Sequence, residues 1–432
     1  MAGRNLKVAL LGFGTVGSSV ARILGDLRPQ GLALTHIYNR SVARKRADWV
    51  PSSVVWTESI EDVLASDVDV VVELVGGLDP AGEWVRRALE AGKSVVTANK
   101  KLIAFHGIEL EKLARAKGGF LLYGAAVAGG IPVIPGLQQG LAGDQITRIE
   151  GILNGTCNFI LSKMETGAEF ADVLKEAQGL GYAEANPSED VDGFDARAKL
   201  VILSRLALRV DVDPEQIPCR SITEVAAIDF EYARELNCTI RQIARAELRS
   251  ADEGLSAETA GMQGGDVLAS VGPMLVPKAS ALAWSRGTEN TVLVGGRYGG
   301  DVVFSGHGAG GHPTAVAVVS DLVNIAHGSR KVDLPSRKTA IAGEFLLRHS
   351  IRFVVRDQPG IIAEIALALA EQGINIHAIF QKPGYGAGNL PFVVTVEPCV
   401  GSALKRALTR IAKMGCLLEK PFDMQILEGS SH

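Results

Sequence analysis

Asp195 and Lys199 stand four residues apart at the head of an apolar run, Ala196 to Leu208. On a helix, that spacing puts both side chains on one face. The carboxylate can then orient the ammonium. A lysine whose pKa lies near the working pH can take a proton from a hydroxyl, or give one to a carbonyl oxygen. Surface ion pairs share this spacing, so the setting matters. A glycine turn at Gly193 precedes the pair, and Glu184, Glu189, Asp190, Asp192 and Asp195 fall within 12 residues. Such charge suits a cationic ligand group, although acidic loops are also acidic simply because they are solvated.

Near the chain start, Gly12-Phe13-Gly14-Thr15-Val16-Gly17 fits G-x-G-x-x-G. The motif follows an apolar strand, Lys7 to Leu11, and leads into a helical stretch, Ser18 to Leu27. That context is what the pattern requires to mark a dinucleotide site. The first glycine permits the tight turn, the second admits a pyrophosphate and the third lets helix and strand pack closely. A helix N-terminus there offers free N–H groups to the phosphates. The second strand, Leu34 to Tyr38, runs into Asn39-Arg40-Ser41, with Arg44, Lys45 and Arg46 just beyond. An NAD-selective site usually has a carboxylate here for the ribose 2′-hydroxyl. Arg40 in its place favours NADP, with NAD still possible; Arg44 to Arg46 read equally well as a solvated helix face. Lys100 follows the strand Ser94 to Thr97, at the strand end where open α/β sheets place ligands.

The elements that must hold these residues fall into three groups. Residues 1–130 alternate short apolar strands, such as Val68 to Val75, with helices such as Ala81 to Ala91, the pattern of a parallel sheet covered by helices. Residues 131–305 read as a second, α+β domain for substrate binding and dimerisation. It opens on Ile131-Pro132-Val133-Ile134-Pro135, which cannot be a central strand because proline lacks a ladder donor. Glycines then crowd at Gly306, Gly308, Gly310 and Gly311, and Pro313 leads into a helix, Thr314 to Ala326. Residues 306–330 are expected to return to the first domain. A polar, basic stretch, His327 to Ala342, reads as a linker, with the domain boundary set at 331–345. Residues 346–432 order as βαββαβ: strand Leu346 to Val355, helix Gly360 to Gln372, strands Asn375 to Lys382 and Phe392 to Val396, helix Ala403 to Met414, strand Leu417 to Leu427. That is the ferredoxin-like plan.

Composition agrees with an α/β enzyme of 432 residues, 47% hydrophobic with 49 glycines, and too long for one core. A net charge of -4 gives no reason to expect nucleic acid or an anionic membrane. No signal peptide or membrane-length apolar run is read, and five scattered cysteines suit reduced thiols in a cytoplasm.

Several blocks together carry a family resemblance: Glu73-Leu74-Val75-Gly76-Gly77, Thr97-Ala98-Asn99-Lys100, Gly151-Ile152-Leu153-Asn154-Gly155-Thr156, Gly181-Tyr182-Ala183-Glu184 and Asp190 to Lys199. From residue 6 to about 330 the chain resembles homoserine dehydrogenase, and the tail resembles an ACT domain. The resemblance implies reversible NAD(P)H-dependent reduction of L-aspartate 4-semialdehyde to L-homoserine, in threonine, methionine and isoleucine biosynthesis. It implies that Glu184 and Asp190 hold the amino group, with Gly155 and Thr156 beside the substrate. Asp195 and Lys199 would serve the reacting oxygen, and Lys100 would lie near both nicotinamide and substrate. Thr97 and Gly306 would join Gly12 to Gly17 and Arg40 around the cofactor. Many members bind a monovalent cation through a glutamate and nearby carbonyls. Here Gly124 stands at the glutamate position, leaving only the carbonyls of Val127, Gly129 and Ile131, so cation dependence is expected to be weak. Cys157 stands where the family usually has threonine; a small buried Cys is the simpler reading than a thioester-forming nucleophile. In the ACT domain Asp357, Gly360, Asn375 and Ile376 would hold an amino-acid effector, threonine being the natural one, between paired copies of a homodimer or tetramer. A purely associative domain fits the same residues. A non-catalytic NADP-linked amino-acid sensor would keep the glycine loop and the ACT unit, yet would not need Asp195, Lys199, Glu184 and Asp190 together.

Overall fold

A computed structural model describes residues 5–249, 267–328, 336–341 and 343–428. The described residues divide into two compact units. One comprises those of Met1–Ile149, Ala198–Glu215 and Thr288–Lys338; the other comprises those of Glu150–Arg197, Gln216–Gly287 and Thr339–His432.

The first unit is built on six parallel strands: β1 (Leu6–Leu11), β2 (Leu32–Tyr38), β3 (Val55–Thr57), β4 (Val70–Glu73), β5 (Ser94–Thr97) and β6 (Leu121–Leu122). Their order is β3-β2-β1-β4-β5-β6, the doubly wound arrangement. Every residue of β4 and β5 is buried, as expected of strands covered on both faces. Helix α1 (Thr15–Leu27) connects β1 to β2; α2 (Ala81–Glu90) and α3 (Lys100–Ala116) flank β5 in sequence. Val8, Leu10, Val20, Val70, Val72 and Val96 form the core together with Ala315, Val318 and Leu322, so the glycine-led helix near residue 320 packs here. Helix α1 begins at Thr15 rather than Ser18, because the last glycine of the loop already lies in its first turn.

After Gly130, Val133–Pro135 forms a single helical turn and no strand, as the prolines require. Strand β7 (Ile146–Ile152) leads from the first unit into the second, followed by helix α4 (Gly155–Met164). Helix α5 (Phe194–Ala207) leads back. Short β8 (Val210–Asp211) follows it, and helix α6 (Ala227–Glu235) belongs to the second unit. Strands β9 (Cys238–Leu248) and β10 (Val267–Pro277) pair antiparallel along their length. The hairpin β11 (Glu289–Gly296) and β12 (Gly300–His307) lies in the first unit, as does α7 (Gly311–Ala326).

Part of the expected linker, residues 329–335 and 342, lies outside the described residues. Within that same stretch, where a linker was expected, β13 (Arg337–Lys338) pairs with β8 inside the first unit. The tail then runs β14 (Leu346–Val355), α8 (Ile361–Ala370), β15 (Ile376–Gln381), β16 (Leu390–Val400), α9 (Gly401–Ile411) and β17 (Phe422–Ile426). That is the βαββαβ order read from the sequence, and Ile351, Phe353, Ile365, Leu369, Phe392 and Leu404 form its core. Its sheet does not stop at its own edge. β17 pairs in parallel with β10, matching Met274 to Gln425 and Leu275 to Ile426. A buried ion pair, Arg352 to Asp229 at 3.0 Å, ties β14 to α6, and the Tyr232 hydroxyl donates to the Pro391 carbonyl at 2.9 Å. Burial pushes the Asp229 carboxyl up to about 6 against the pull of the guanidinium.

Candidate active site

The glycine loop joins β1 to α1 with little room to spare. Gly12 has a φ of +105° and lies against the Leu74 carbonyl at the end of β4, where an added Cβ would come within 3.1 Å of the oxygen. At Gly17 a Cβ would meet the Gly12 carbonyl oxygen at 2.1 Å, so any side chain there would push the helix off the turn. Gly14 differs: nothing lies within 4 Å of the position of its Cβ. As N-cap of α1 it brings no side-chain cap, and the first turn carries no acidic residue. An exposed helix N-terminus with open space over its glycine fits a pyrophosphate. Phe13 turns inward and packs edge-on against Trp56 at 4.8 Å, so only its backbone faces that space. Arg40 is exposed in the turn after β2.

At the ends of β4 and β5 one buried carboxylate organises the chain. Glu73 is fully buried; one oxygen accepts the N–H groups of Val75 and Gly76, both at 2.8 Å, and the other accepts the Thr97 hydroxyl at 2.5 Å. Thr97 in turn accepts the Asn99 N–H. Asn99 caps α3 by accepting from Leu102 at 3.0 Å and donates to the Gly77 carbonyl at 2.6 Å. Lys100 therefore opens a capped helix, half-buried, at a fixed point beyond β5. The Thr97 hydroxyl is engaged in this internal relay, which leaves its backbone as the part that can face a ligand.

In the second unit a single amide draws the acidic loop together. Asn154, only 4% exposed, caps α4 by accepting from the Cys157 N–H at 2.8 Å. Its amide nitrogen donates to Asp190 at 2.6 Å and to Asp195 at 2.9 Å. Two of the candidate carboxylates thus share one donor group. Gly193, at φ +84°, provides the turn between them, and a Cβ there would strike Val271 at 2.9 Å. Asp195 is buried in the first turn of α5, and Lys199 lies one turn further along the same helix, half-buried. Gly155 follows the cap directly, and the Thr156 hydroxyl donates to the Tyr182 carbonyl at 2.7 Å. Glu184 is exposed and stands outside the Asn154 network; only its carbonyl is engaged, by Gln178. Cys157 is fully buried, with its thiol donating to the Asp190 carbonyl at 3.1 Å, the position of a packed Cys.

At Gly124 the backbone N–H donates to Asp321 of α7 at 2.7 Å, a carboxylate that sequence spacing alone does not connect to this loop. The Ile131 carbonyl accepts from Val133, and Val127 and Gly129 are buried beside it. Gly306 lies on β12 close to Ile131. Among the described residues no group of three or more His, Cys, Asp or Glu could hold a metal ion. Nor is any described helix long and apolar enough to cross a membrane. In the tail, Asp357 and Gly360 are exposed in the loop between β14 and α8, Asn375 is exposed before β15, and Ile376 begins that strand half-buried.

A doubly wound parallel sheet with a glycine loop at its switch point defines the dinucleotide-binding class of α/β enzyme. Residues 12–124 match the family model "Homoserine dehydrogenase, NAD binding domain", residues 132–323 match "Homoserine dehydrogenase" and residues 349–414 match "ACT domain". The chain is 39% identical to a homoserine dehydrogenase of Corynebacterium glutamicum, over 88% of this chain and 86% of that one. A crystal structure of a homoserine dehydrogenase from Thiobacillus denitrificans superposes with a TM-score of 0.87 at 34% identity, covering 98% of this chain and 99% of the other. A hyperthermophilic archaeal homoserine dehydrogenase in complex with NADPH gives a TM-score of 0.63 at 26% identity, over 76% of this chain and all of that one. The chain belongs to the homoserine dehydrogenase family. It is an NAD(P)-dependent oxidoreductase that interconverts L-aspartate 4-semialdehyde and L-homoserine, and the reading of a non-catalytic sensor is set aside.

The shared amide yields a direct test. Asn154→Ser keeps a side-chain oxygen that can cap α4, yet is too short to reach both carboxylates. Hydrogen bonds to charged groups contribute about 1.5–3 kcal/mol, so kcat/KM for homoserine should fall roughly 10-fold or more, with the melting temperature little changed. A variant with kcat/KM within twofold of the parent would show that the carboxylates hold their places without the amide.

Proposed function

We propose that Lys199 is the general acid–base of this dehydrogenase, with Asp195 orienting it. The observation that supports this is the Asn154 amide, which joins Asp195 to Asp190 across the loop that must bind the substrate. In homoserine oxidation the neutral Lys199 amine takes the hydroxyl proton; in aldehyde reduction its ammonium returns one to the carbonyl oxygen. The bound nicotinamide supplies or accepts the hydride. Asp190 and Glu184 bind the substrate ammonium, Gly155 and Thr156 lie beside the substrate, and Lys100 stands near the reacting carbon. Lys199→Ala should lower kcat about 100-fold or more, the usual scale for losing such a group, and Asp195→Asn should lower it too. Glu184→Gln should act chiefly through the homoserine KM. A correctly folded Lys199→Ala enzyme with near-normal kcat would remove Lys199 from this role.

NADP is the preferred cofactor in this reading, with NAD usable. Arg40 replaces the carboxylate that would favour a ribose hydroxyl, and a guanidinium pairs well with a 2′-phosphate. Following reduced cofactor during homoserine oxidation, with NAD and NADP in parallel, should give the higher kcat/KM for NADP. Arg40→Ala should erase the difference. A strong preference for NAD, with the NADP value untouched by Arg40→Ala, would end this argument. Any monovalent-cation site formed by Val127, Gly129 and Ile131 would have only backbone ligands on this loop, and a weak one is proposed.

The ACT domain binds threonine, on this reading, near Asp357, Gly360, Asn375 and Ile376 of paired copies, in a homo-oligomer working in the cytoplasm in the biosynthesis of threonine and related amino acids. Inhibition requires that threonine favour a less active arrangement. Coupling of about 1–3 kcal/mol would change homoserine affinity about 5- to 150-fold. Because β17 pairs with β10, removing the tail would bare a strand edge, and the intact chain is the right material for the test. Millimolar threonine should raise the homoserine KM of the parent and do so less for Asn375→Ala. Unchanged kinetics together with no calorimetric heat would exclude threonine as the effector.

A further inference from the structure

We infer that Arg205, seated over Gly107, is a positioning clamp that fixes the helix of Lys199 against the helix of Lys100. Both lysines, both helix segments and the clamp belong to the first unit. The inference rests on the proposed role of Lys199, and its test separates the two.

Arg205 lies on α5 six residues after Lys199, about 9 Å along the axis at 1.5 Å per residue. The residue is 6% exposed, and its guanidinium crosses to the N-terminal part of α3. There one terminal nitrogen donates to the Ile103 carbonyl at 2.8 Å, and the other to the Ala104 carbonyl at 3.1 Å. Those carbonyls sit within about one turn of Lys100. Asp211, just past α5, accepts from the same guanidinium at 2.8 and 3.1 Å and balances its charge. A lysine in this place could not reproduce the fork, since it offers one nitrogen where the fork offers three.

Gly107 supplies the second observation. It lies in the interior of α3, where glycine weakens a helix for want of a side chain and through its backbone freedom. A Cβ at this position would come 2.6 Å from the Arg205 terminal nitrogen and 3.1 Å from Ile103 Cγ2. Elsewhere an arginine tip could swing away. Here it is held by three acceptors in a buried place, so the glycine makes the room that the clamp occupies. The lower part of α3 is fixed independently, because Glu111 accepts the buried Tyr123 hydroxyl at 2.5 Å. The Arg205 fork therefore sets how α5 lies on an already anchored α3, and with it the separation of the two lysine-bearing turns.

The test uses the full chain with homoserine and NADP. Arg205→Lys keeps the charge and loses the fork, whereas Gly107→Ala keeps Arg205 and displaces it. Each should lower kcat about 10-fold, leave the KM values for homoserine and cofactor within about threefold, and move the midpoint of the kcat–pH profile by about half a unit or more. Folded variants with wild-type kcat and midpoint would overturn the clamp. So would a fall in kcat with an unmoved midpoint, or failure of both variants to fold, since each assigns Arg205 to stability alone. Lys199→Ala, measured beside them, distinguishes the cases. If it is inactive while the clamp variants are normal, only the clamp is lost; if it is active, the reading of Lys199 itself fails.

Discussion

One amide holds two negative charges together. Asp190 and Asp195 would repel each other at close quarters, and a loop bearing five acidic residues has every electrostatic reason to open. Asn154 opposes that by donating to both, while its oxygen completes the N-terminus of α4. An asparagine suits this place because it combines an acceptor and two N–H donors in one short, rigid side chain. A lysine or arginine would bring a positive charge of its own and could not also accept from the Cys157 N–H. The neutral amide does both without changing the charge of the loop.

The same economy appears in the first unit, with the signs exchanged. Glu73 is a buried carboxylate that accepts three donors, two from the backbone and one from Thr97. What it purchases is a rigid end to β4 and β5: the 75–77 turn, the Asn99 cap and the first residue of α3 are all set by one relay. Both halves of the machinery thus rest on a short polar chain that ends at a helix N-terminus. Short chains of this kind place a side chain more exactly than a loop could, since each link is a directed hydrogen bond between held groups.

Much of this was legible in the sequence, and the part that was not has a physical reason. The glycine loop, the strand–helix alternation and the βαββαβ tail depend on local spacing, which a linear reading sees. The family blocks marked Asn154 without saying what its side chain does, because its partners lie 36 and 41 residues away. Glu73 read as part of a block and turned out to be the keystone of the Thr97–Asn99 relay. Arg205 belongs to no local motif. Only the structure joins it to Ile103, more than 100 residues earlier, and brings its tip to where a Cβ at Gly107 would stand. Asp321 likewise meets Gly124 from a distant helix, so an expectation about that loop drawn from its own residues was incomplete.

The continuation of the tail's sheet into β10 changes how its role must be argued. A sensor on a free linker would signal by docking and undocking. Here β17 is a neighbour strand of β10, and the connections run on from there. Arg220 pairs through its side chain with Asp423 of β17 at 3.1 Å, while its backbone N–H donates to the Val271 carbonyl of β10 at 2.8 Å. Two residues further on, Ile222 donates to the Val191 carbonyl at 3.0 Å, and Val191 adjoins Asp190. His349, buried and bonded to the same Asp423, and the Arg352–Asp229 pair hold β14 from the other side. Spatial continuity alone does not transmit regulation; an effector must bind one arrangement more tightly than another. What the continuity does establish is scale. A packed sheet resists gradual deformation, and the pairing of β17 with β10 joins the tail to the strand whose Val271 carbonyl holds Arg220, two residues before the Ile222 that bonds the loop carrying Asp190.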